Sequence, residues 1–134
     1  MSRNIALVLG AFHKTEVEEM AREAKLAAAE MKLNVIEEVW VPGSYEKPLA
    51  LKKLLARDDI EGAVVLGIIE KGETKHGLVM AQTVMKAIID LELFFMKPVG
   101  IGIVGPEVLP NQIRSRLKSH ARRAIEAVDA LLEK

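Results

Sequence analysis

Apolar positions along this chain follow two alternating rhythms. Runs of mainly apolar residues occupy positions 5–9, 35–41, 63–69 and 99–104, the second interrupted by Glu37 and Glu38. Each is short, rich in β-branched residues and bounded by Gly, Pro or charged positions, the pattern of strands in a parallel sheet. Elsewhere the spacing changes to three and four. Over residues 15–31, Val17, Met20, Ala24, Ala27, Ala28 and Met31 fall on one helical face. A second helix takes Pro48 in its first turn and reaches about Arg57. A third runs from near Thr74 to about Met96, before the break at Lys97-Pro98. The last fills most of residues 111–133, with Ile113, Leu117, Ala121, Ala124, Val128 and Leu131 on one stripe.

Strands alternating with helices across short turns imply parallel strands joined by right-handed crossovers. The expected fold is therefore α/β, a three-layer αβα sandwich in which a four-stranded parallel sheet carries helices on both faces. With 134 residues and no linker or low-complexity tract, a single domain over residues 1–134 is expected. So narrow a sheet leaves two open edges, which is compatible with assembly from several copies.

Composition narrows the partners. The 19 basic and 19 acidic residues cancel, so no global field favours nucleic acid or an anionic membrane. Cysteine is absent, which excludes disulfides, thiolate metal sites and Cys nucleophiles and fits the cytoplasm. Arg3 ahead of the apolar run imitates a signal peptide, but the run is short and leads into a charged helix. No stretch approaches a membrane span. A cytoplasmic protein is the expectation.

Parallel strands would gather four loops at one rim: residues 10–13, 42–46, 70–76 and 105–107. The aromatic residues Phe12, Trp40 and Tyr45 lie in or beside them. A flat apolar ring near hydroxyls and carboxylates suits a planar heterocycle with a polar tail. Trp40 reads as core, whereas Phe12 fits either core or ligand face.

The loop after the third strand is the densest in chemistry, with Glu70, Lys71, Gly72, Glu73, Thr74, Lys75 and His76 in succession. If Thr74 caps the following helix, His76 stands in its first turn. There it is either a general acid–base or a solvated surface histidine. His13 either joins the site or ends the first loop as a helix cap, and His120 faces outward with a structural role. No metal site is expected, since His-x-x-x-His and thiols are missing. The first strand is not followed by Gly-x-Gly-x-x-Gly, and neither a Walker loop nor a Gly-x-Ser-x-Gly elbow occurs. Residues 114–123 hold five permanent cations on two helical flanks, either a solvated face or a site where one Arg grips a phosphate.

These loops, in this order, resemble the 6,7-dimethyl-8-ribityllumazine synthase family, especially its short archaeal forms. The resemblance spans nearly the whole chain. It rests on Val8-Leu9-Gly10-Ala11-Phe12, on Trp40-Val41-Pro42-Gly43-Ser44-Tyr45-Glu46-Lys47-Pro48, on Leu66-Gly67 with Gly72-Glu73-Thr74-Lys75-His76, and on Gly102-Ile103-Val104. It implies a flavodoxin-like fold and condensation of 5-amino-6-(D-ribitylamino)uracil with 3,4-dihydroxy-2-butanone 4-phosphate, with no metal or organic cofactor. By matching position, Phe12 would stack on the pyrimidine, and Ser44, Tyr45 and Glu46 would bind the ribityl chain and nearby ring edge. Ile68, Ile69 and Glu70 would hold the uracil through backbone groups. Glu73 and Thr74 would meet the phosphorylated ketone, and His76 would move protons. Ile101 would close the site from a neighbouring subunit, and Arg116, or else Arg114, would hold the phosphate. The resemblance also implies a homo-oligomer, a pentamer or multiples of it.

Departures from the usual family pattern are Ala11 and His13 around Phe12, and Tyr45 where Phe is common. Rival readings are the related archaeal-type riboflavin synthase, which dismutates lumazine, and a non-catalytic protein that binds ribityl pyrimidines or flavins. A flavodoxin-like interaction domain with merely solvated turns is the third.

Overall fold

The computed structural model describes residues 3–133. Four strands, β1 (Asn4–Gly10), β2 (Asn34–Val41), β3 (Gly62–Glu70) and β4 (Val99–Val108), form one parallel sheet in the order β2-β1-β3-β4. Helix α1 (Lys14–Glu30) and helix α5 (Leu117–Leu132) cover one face, α2 (Lys47–Leu55) and α3 (His76–Phe95) the other. The expected three-layer architecture is present, flavodoxin-like in its layers.

Residues of the central strands alternate between two cores. Ile5, Leu7, Leu9, Val64 and Leu66 pack under α1 and α5, while Ala6, Val8, Ala63 and Val65 pack under α2 and α3. Both faces are dry, which is why these strands read as continuous apolar runs. The edge strand β2 carries one extra residue: Ile5 pairs with Val35, but Ala6 pairs with Glu37. That bulge reverses the facing of the rest of the strand, so Val35 joins the α1–α5 core whereas Val39 and Val41 join the opposite one.

Several boundaries differ from expectation. β4 does not stop at Val104 but continues to Val108, absorbing the expected loop at residues 105–107. Gly105, at φ +114°, turns the strand there, and Val108 O accepts the Lys71 N–H at 2.8 Å. The last helix is not continuous either. A single turn, α4 (Pro110–Ile113), passes into a 3₁₀ turn at Arg114–Arg116 before α5 starts. The Arg116 side chain donates to Gln112 O at 2.7 Å and holds that tighter turn.

Trp40 also departs from its reading. It is 37% exposed rather than core, because β2 is an edge strand and the ring lies outside, with Lys14 Nζ 5.4 Å from its centroid. His120 is half-buried, with Nδ1 3.0 Å from Arg116 O, in keeping with a structural role. The cationic run at 114–123 is partly neutralised by α1. Arg114 pairs with Glu19 at 2.9 Å, and Arg122 bridges Glu23 at 2.7 Å and Glu30 at 2.6 Å. The hydrogen-bonded Arg122 guanidinium holds the Glu30 carboxyl below its ordinary range. Among the described residues no helix is long and apolar enough to cross a membrane.

Candidate functional site

The chain runs from β1 outward to β2, then returns to place β3 on the other side of β1. At such a switch point the outgoing loops diverge and leave a crevice beyond the strand ends. Here that crevice is a cleft of about 410 Å³, well within the range that takes a small molecule. Phe12 enters it from the turn after β1, and Pro42, Gly43, Ser44, Tyr45 and Glu46 form the wall after β2. Ile68, Ile69 and Glu70 end β3 along its floor. Gly72, Thr74, His76, Gly77 and Met80 complete the far side.

Local chemistry sets each wall. Ala11 N–H donates to Val41 O at 2.8 Å, so the ends of β1 and β2 stay paired and their two loops leave together. Ser44–Glu46 makes a 3₁₀ turn that runs into α2, where Pro48 occupies the first turn as expected. Thr74 Oγ1 accepts the His76 N–H at 3.3 Å, satisfying one of the donors that a helix start leaves open. α3 begins at His76 itself, with Lys75 in the cap position and no side-chain cap. The Tyr45 and His76 rings face each other edge-on across the cleft, 6.2 Å between centroids.

His13 occupies the cap position of α1 in the left-handed conformation, φ 59°, but its ring does not cap. It packs edge-on against Phe12 at 4.5 Å and brings Nε2 to 3.0 Å from Glu70 Oε1. That nitrogen is shut off from solvent and makes no well-formed hydrogen bond among the described residues. Phe12 itself is 61% exposed, a ring held at the cleft rather than in the core.

Nine of the twelve expected site residues therefore line one cleft: Phe12, Ser44, Tyr45, Glu46, Ile68, Ile69, Glu70, Thr74 and His76. Glu73, Ile101 and Arg116 stand outside it in the single chain. Glu73 is exposed on the same loop, Ile101 is half-buried in β4, and Arg116 is folded onto its own turn. Met80 and Gly77 are lining residues that the sequence did not single out. Gly77 follows His76 at the start of α3 and Met80 lies one turn further on, where helical spacing from His76 would have pointed. Among the described residues no group of three or more His, Cys, Asp or Glu side chains converges as a metal site requires.

Nor does the sequence single out Lys47. It is only 1% exposed, and its side chain crosses the sheet end through a slot made by two glycines. A Cβ at Gly67 would lie 2.1 Å from Lys47 Nζ, and one at Gly10 3.0 Å from its Cε. The amine donates to Ser44 Oγ at 3.2 Å, its one partner among the described residues. Burial pushes its pKa down to about 8, from an ordinary 10.5. Below pH 8 the ammonium is buried at full cost. Between the two values the folded state releases its proton first, so stability rises with pH, and above 10.5 the penalty is gone. Lys47→Met is accordingly expected to stabilise the protein at pH 7 by roughly 1–3 kcal/mol. Thermal melts across this range should show that advantage shrinking as pH rises.

A parallel α/β domain with a small-molecule cleft at its topological switch point is the class these features define. The sequence model of the 6,7-dimethyl-8-ribityllumazine synthase family matches residues 2–134. Relatives carrying that family's name include a Staphylothermus marinus protein, 36% identical over 97% of this chain and 87% of its own length. A Methanopyrus kandleri protein is 41% identical over 92% of this chain and 86% of its own. A Metallosphaera sedula protein is 48% identical over 65% of this chain, a match spanning 58% of that relative. The chain belongs to the 6,7-dimethyl-8-ribityllumazine synthase family.

Proposed function

We propose that the protein condenses 5-amino-6-(D-ribitylamino)uracil with 3,4-dihydroxy-2-butanone 4-phosphate to give 6,7-dimethyl-8-ribityllumazine, phosphate and two waters. The observation that carries the reading is the convergence of Phe12, the 44–46 turn, the β3 end and His76 on one cleft. Phe12 stacks on the pyrimidine, and Ser44, Tyr45 and Glu46 take the ribityl chain. Backbone groups of Ile68, Ile69 and Glu70 hold the uracil edge. Thr74 and Glu73 receive the phosphorylated ketone.

The chemistry then needs proton transfers and alignment. The amine adds to the ketone and water leaves to form an imine. Phosphate departs by elimination, and ring closure expels the second water. His76 at the mouth of the cleft takes and returns these protons, and two substrates held in line provide most of the remaining acceleration. No electron leaves or enters.

The phosphate clamp and Ile101 are proposed to come from a neighbouring copy, since neither Arg116 nor Ile101 borders the cleft of its own chain. Arg116 is the better candidate because Arg114 is already paired with Glu19. Exposed apolar residues on α2, on α3 and just beyond it support self-association: Leu49, Ile89, Leu93, Phe94 and Met96, Phe94 by 75%. A pentamer or a multiple of it, working in the cytoplasm, is the proposed assembly.

Mixing the purified protein with both precursors should generate lumazine absorbance. Activity on preformed lumazine alone would transfer the assignment to a riboflavin synthase. In the same assay Arg116→Ala should raise KM for the butanone phosphate about tenfold or more, as loss of a charged hydrogen bond does. KM for the pyrimidine should hardly move. An Arg114→Ala enzyme with the larger effect would exchange the two roles.

A further inference from the structure

Ser44 and Lys47 are the two buried polar side chains among the described residues, and they are hydrogen-bonded to each other. Ser44 borders the cleft, whereas Lys47 lies directly beneath it and takes no part in the chemistry above. We propose that Lys47 is a positioning residue that commits the Ser44 hydroxyl to donate its proton to an oxygen of the ligand. The inference rests on the proposed function for the identity of that ligand.

Donor and acceptor capacity fixes the direction of this bond. An ammonium group has three N–H donors and no lone pair, so in the Lys47–Ser44 bond the serine oxygen must accept. Of the two lone pairs and one O–H of the hydroxyl, the bond from below takes one lone pair. Accepting from a cation polarises the O–H into a stronger donor and weakens the lone pair that is left, so toward the open cleft the hydroxyl acts as a donor. Without Lys47 the same hydroxyl would rotate freely and could accept from the ligand as readily as donate to it. Fixed as a donor, it favours an acceptor such as a ring carbonyl or a ribityl oxygen, and it disfavours an N–H in that position. Selectivity of this kind arises because a mismatched ligand leaves a buried polar group unpaired.

Packing alone does not account for the lysine. A buried ammonium with a single neutral partner destabilises the fold, and an aliphatic side chain would fill the same space at no electrostatic cost. The slot is nevertheless built for this side chain, since Gly10 and Gly67 leave room for its Cε and Nζ on adjacent strands. A locally unfavourable group placed under a ligand cleft, with its one bond aimed at a cleft residue, is the pattern expected of a site device rather than of a core.

The test compares wild type, Lys47→Met, Ser44→Ala and the double variant. Calorimetry would measure binding of ribitylaminouracil alone, and steady-state kinetics would follow both substrates. Lys47→Met should bind the pyrimidine about tenfold more weakly and raise its KM to match. KM for the butanone phosphate should stay within about twofold, while the melting temperature rises. Ser44→Ala should weaken binding similarly, and adding Lys47→Met to it should cost nothing more, since the hydroxyl to be oriented is gone. A Lys47→Met protein that is more stable and binds as wild type would make the lysine purely structural and overturn the inference. Should that variant fail to fold, Ser44→Ala decides alone, and unchanged pyrimidine binding overturns the inference equally. Wild type that neither binds nor converts ribitylaminouracil overturns the proposed function, and this inference with it. Where wild type does both, the variants alone decide whether Lys47 positions Ser44.

Discussion

His76→Ala is expected to lower kcat for the condensation by about a hundredfold, at the low end for loss of a general acid–base. Binding of the pyrimidine should change far less, by under about threefold. Each bond change in the proposed reaction moves a proton. Imine formation expels water, phosphate elimination needs a C–H proton removed, and closure expels water again. The imidazole is well placed because its backbone is anchored at two points. His76 is the first residue of α3, and its N–H is held by Thr74 Oγ1 at 3.3 Å. The ring therefore projects from a fixed point toward Tyr45, 6.2 Å away. Single-turnover absorbance after mixing with both substrates would separate this loss from binding. A slow residual rate is expected, because the two substrates stay aligned in the cleft without the imidazole. Wild-type turnover by the variant would shift the proton-transfer role to His13 and Glu70, 3.0 Å apart at the floor of the cleft.

Gly100→Ala should be among the most damaging single-methyl changes in the protein, costing about 3 kcal/mol or more. A Cβ at that position would meet Ala124 O at 2.1 Å and Ala124 C at 2.7 Å. Those are backbone atoms of α5 and cannot swing aside as a side-chain tip can. The helix would have to lift from β4, disturbing Leu117, Ala121, Ala124 and Val128 in the core below it. Gly102→Ala offers the contrast. Its worst contact, 2.6 Å, is with Leu66 Cδ2, which can rotate, so its cost should be smaller. Urea melts of both variants would check the order. A Gly100→Ala protein within about 1 kcal/mol of wild type would show that α5 does not sit against the strand as described.

The same two glycines show what the sequence could and could not convey. Gly100, Gly102 and Gly105 spell Gly-x-Gly-x-x-Gly, a string associated with phosphate loops, but here it lies inside β4. Two of its glycines admit the backbone of a helix rather than a ligand. Strands and helices were legible because two dry sheet faces produce continuous apolar runs, and amphipathic helices produce a period near 3.6. The order of the strands made the cleft legible as well, since loops after β1, β2 and β3 must share a rim. The features hidden from the sequence depend on distant residues meeting. Trp40 looks like core until β2 is known to be an edge. The break at Arg114–Arg116 goes with the Arg116 side chain turning back to the Gln112 carbonyl, which no apolar spacing records. Nothing in the spacing around Lys47 marks it as buried, and only the joint placement of Gly10 and Gly67 on neighbouring strands makes a slot for it.

The extra residue in β2 has a consequence at the opposite end of that strand. Because Ile36 is counted once more than its neighbour allows, the phase of everything downstream is set by a miscount near the strand's beginning. Remove that residue and the hairline agreement between Val41 and the start of Pro42–Glu46 is rotated by half a turn. The wall that meets a ligand would then point into the wrong layer. The facing of that cleft wall is thus indexed by arithmetic some six residues upstream of Pro42, its first residue.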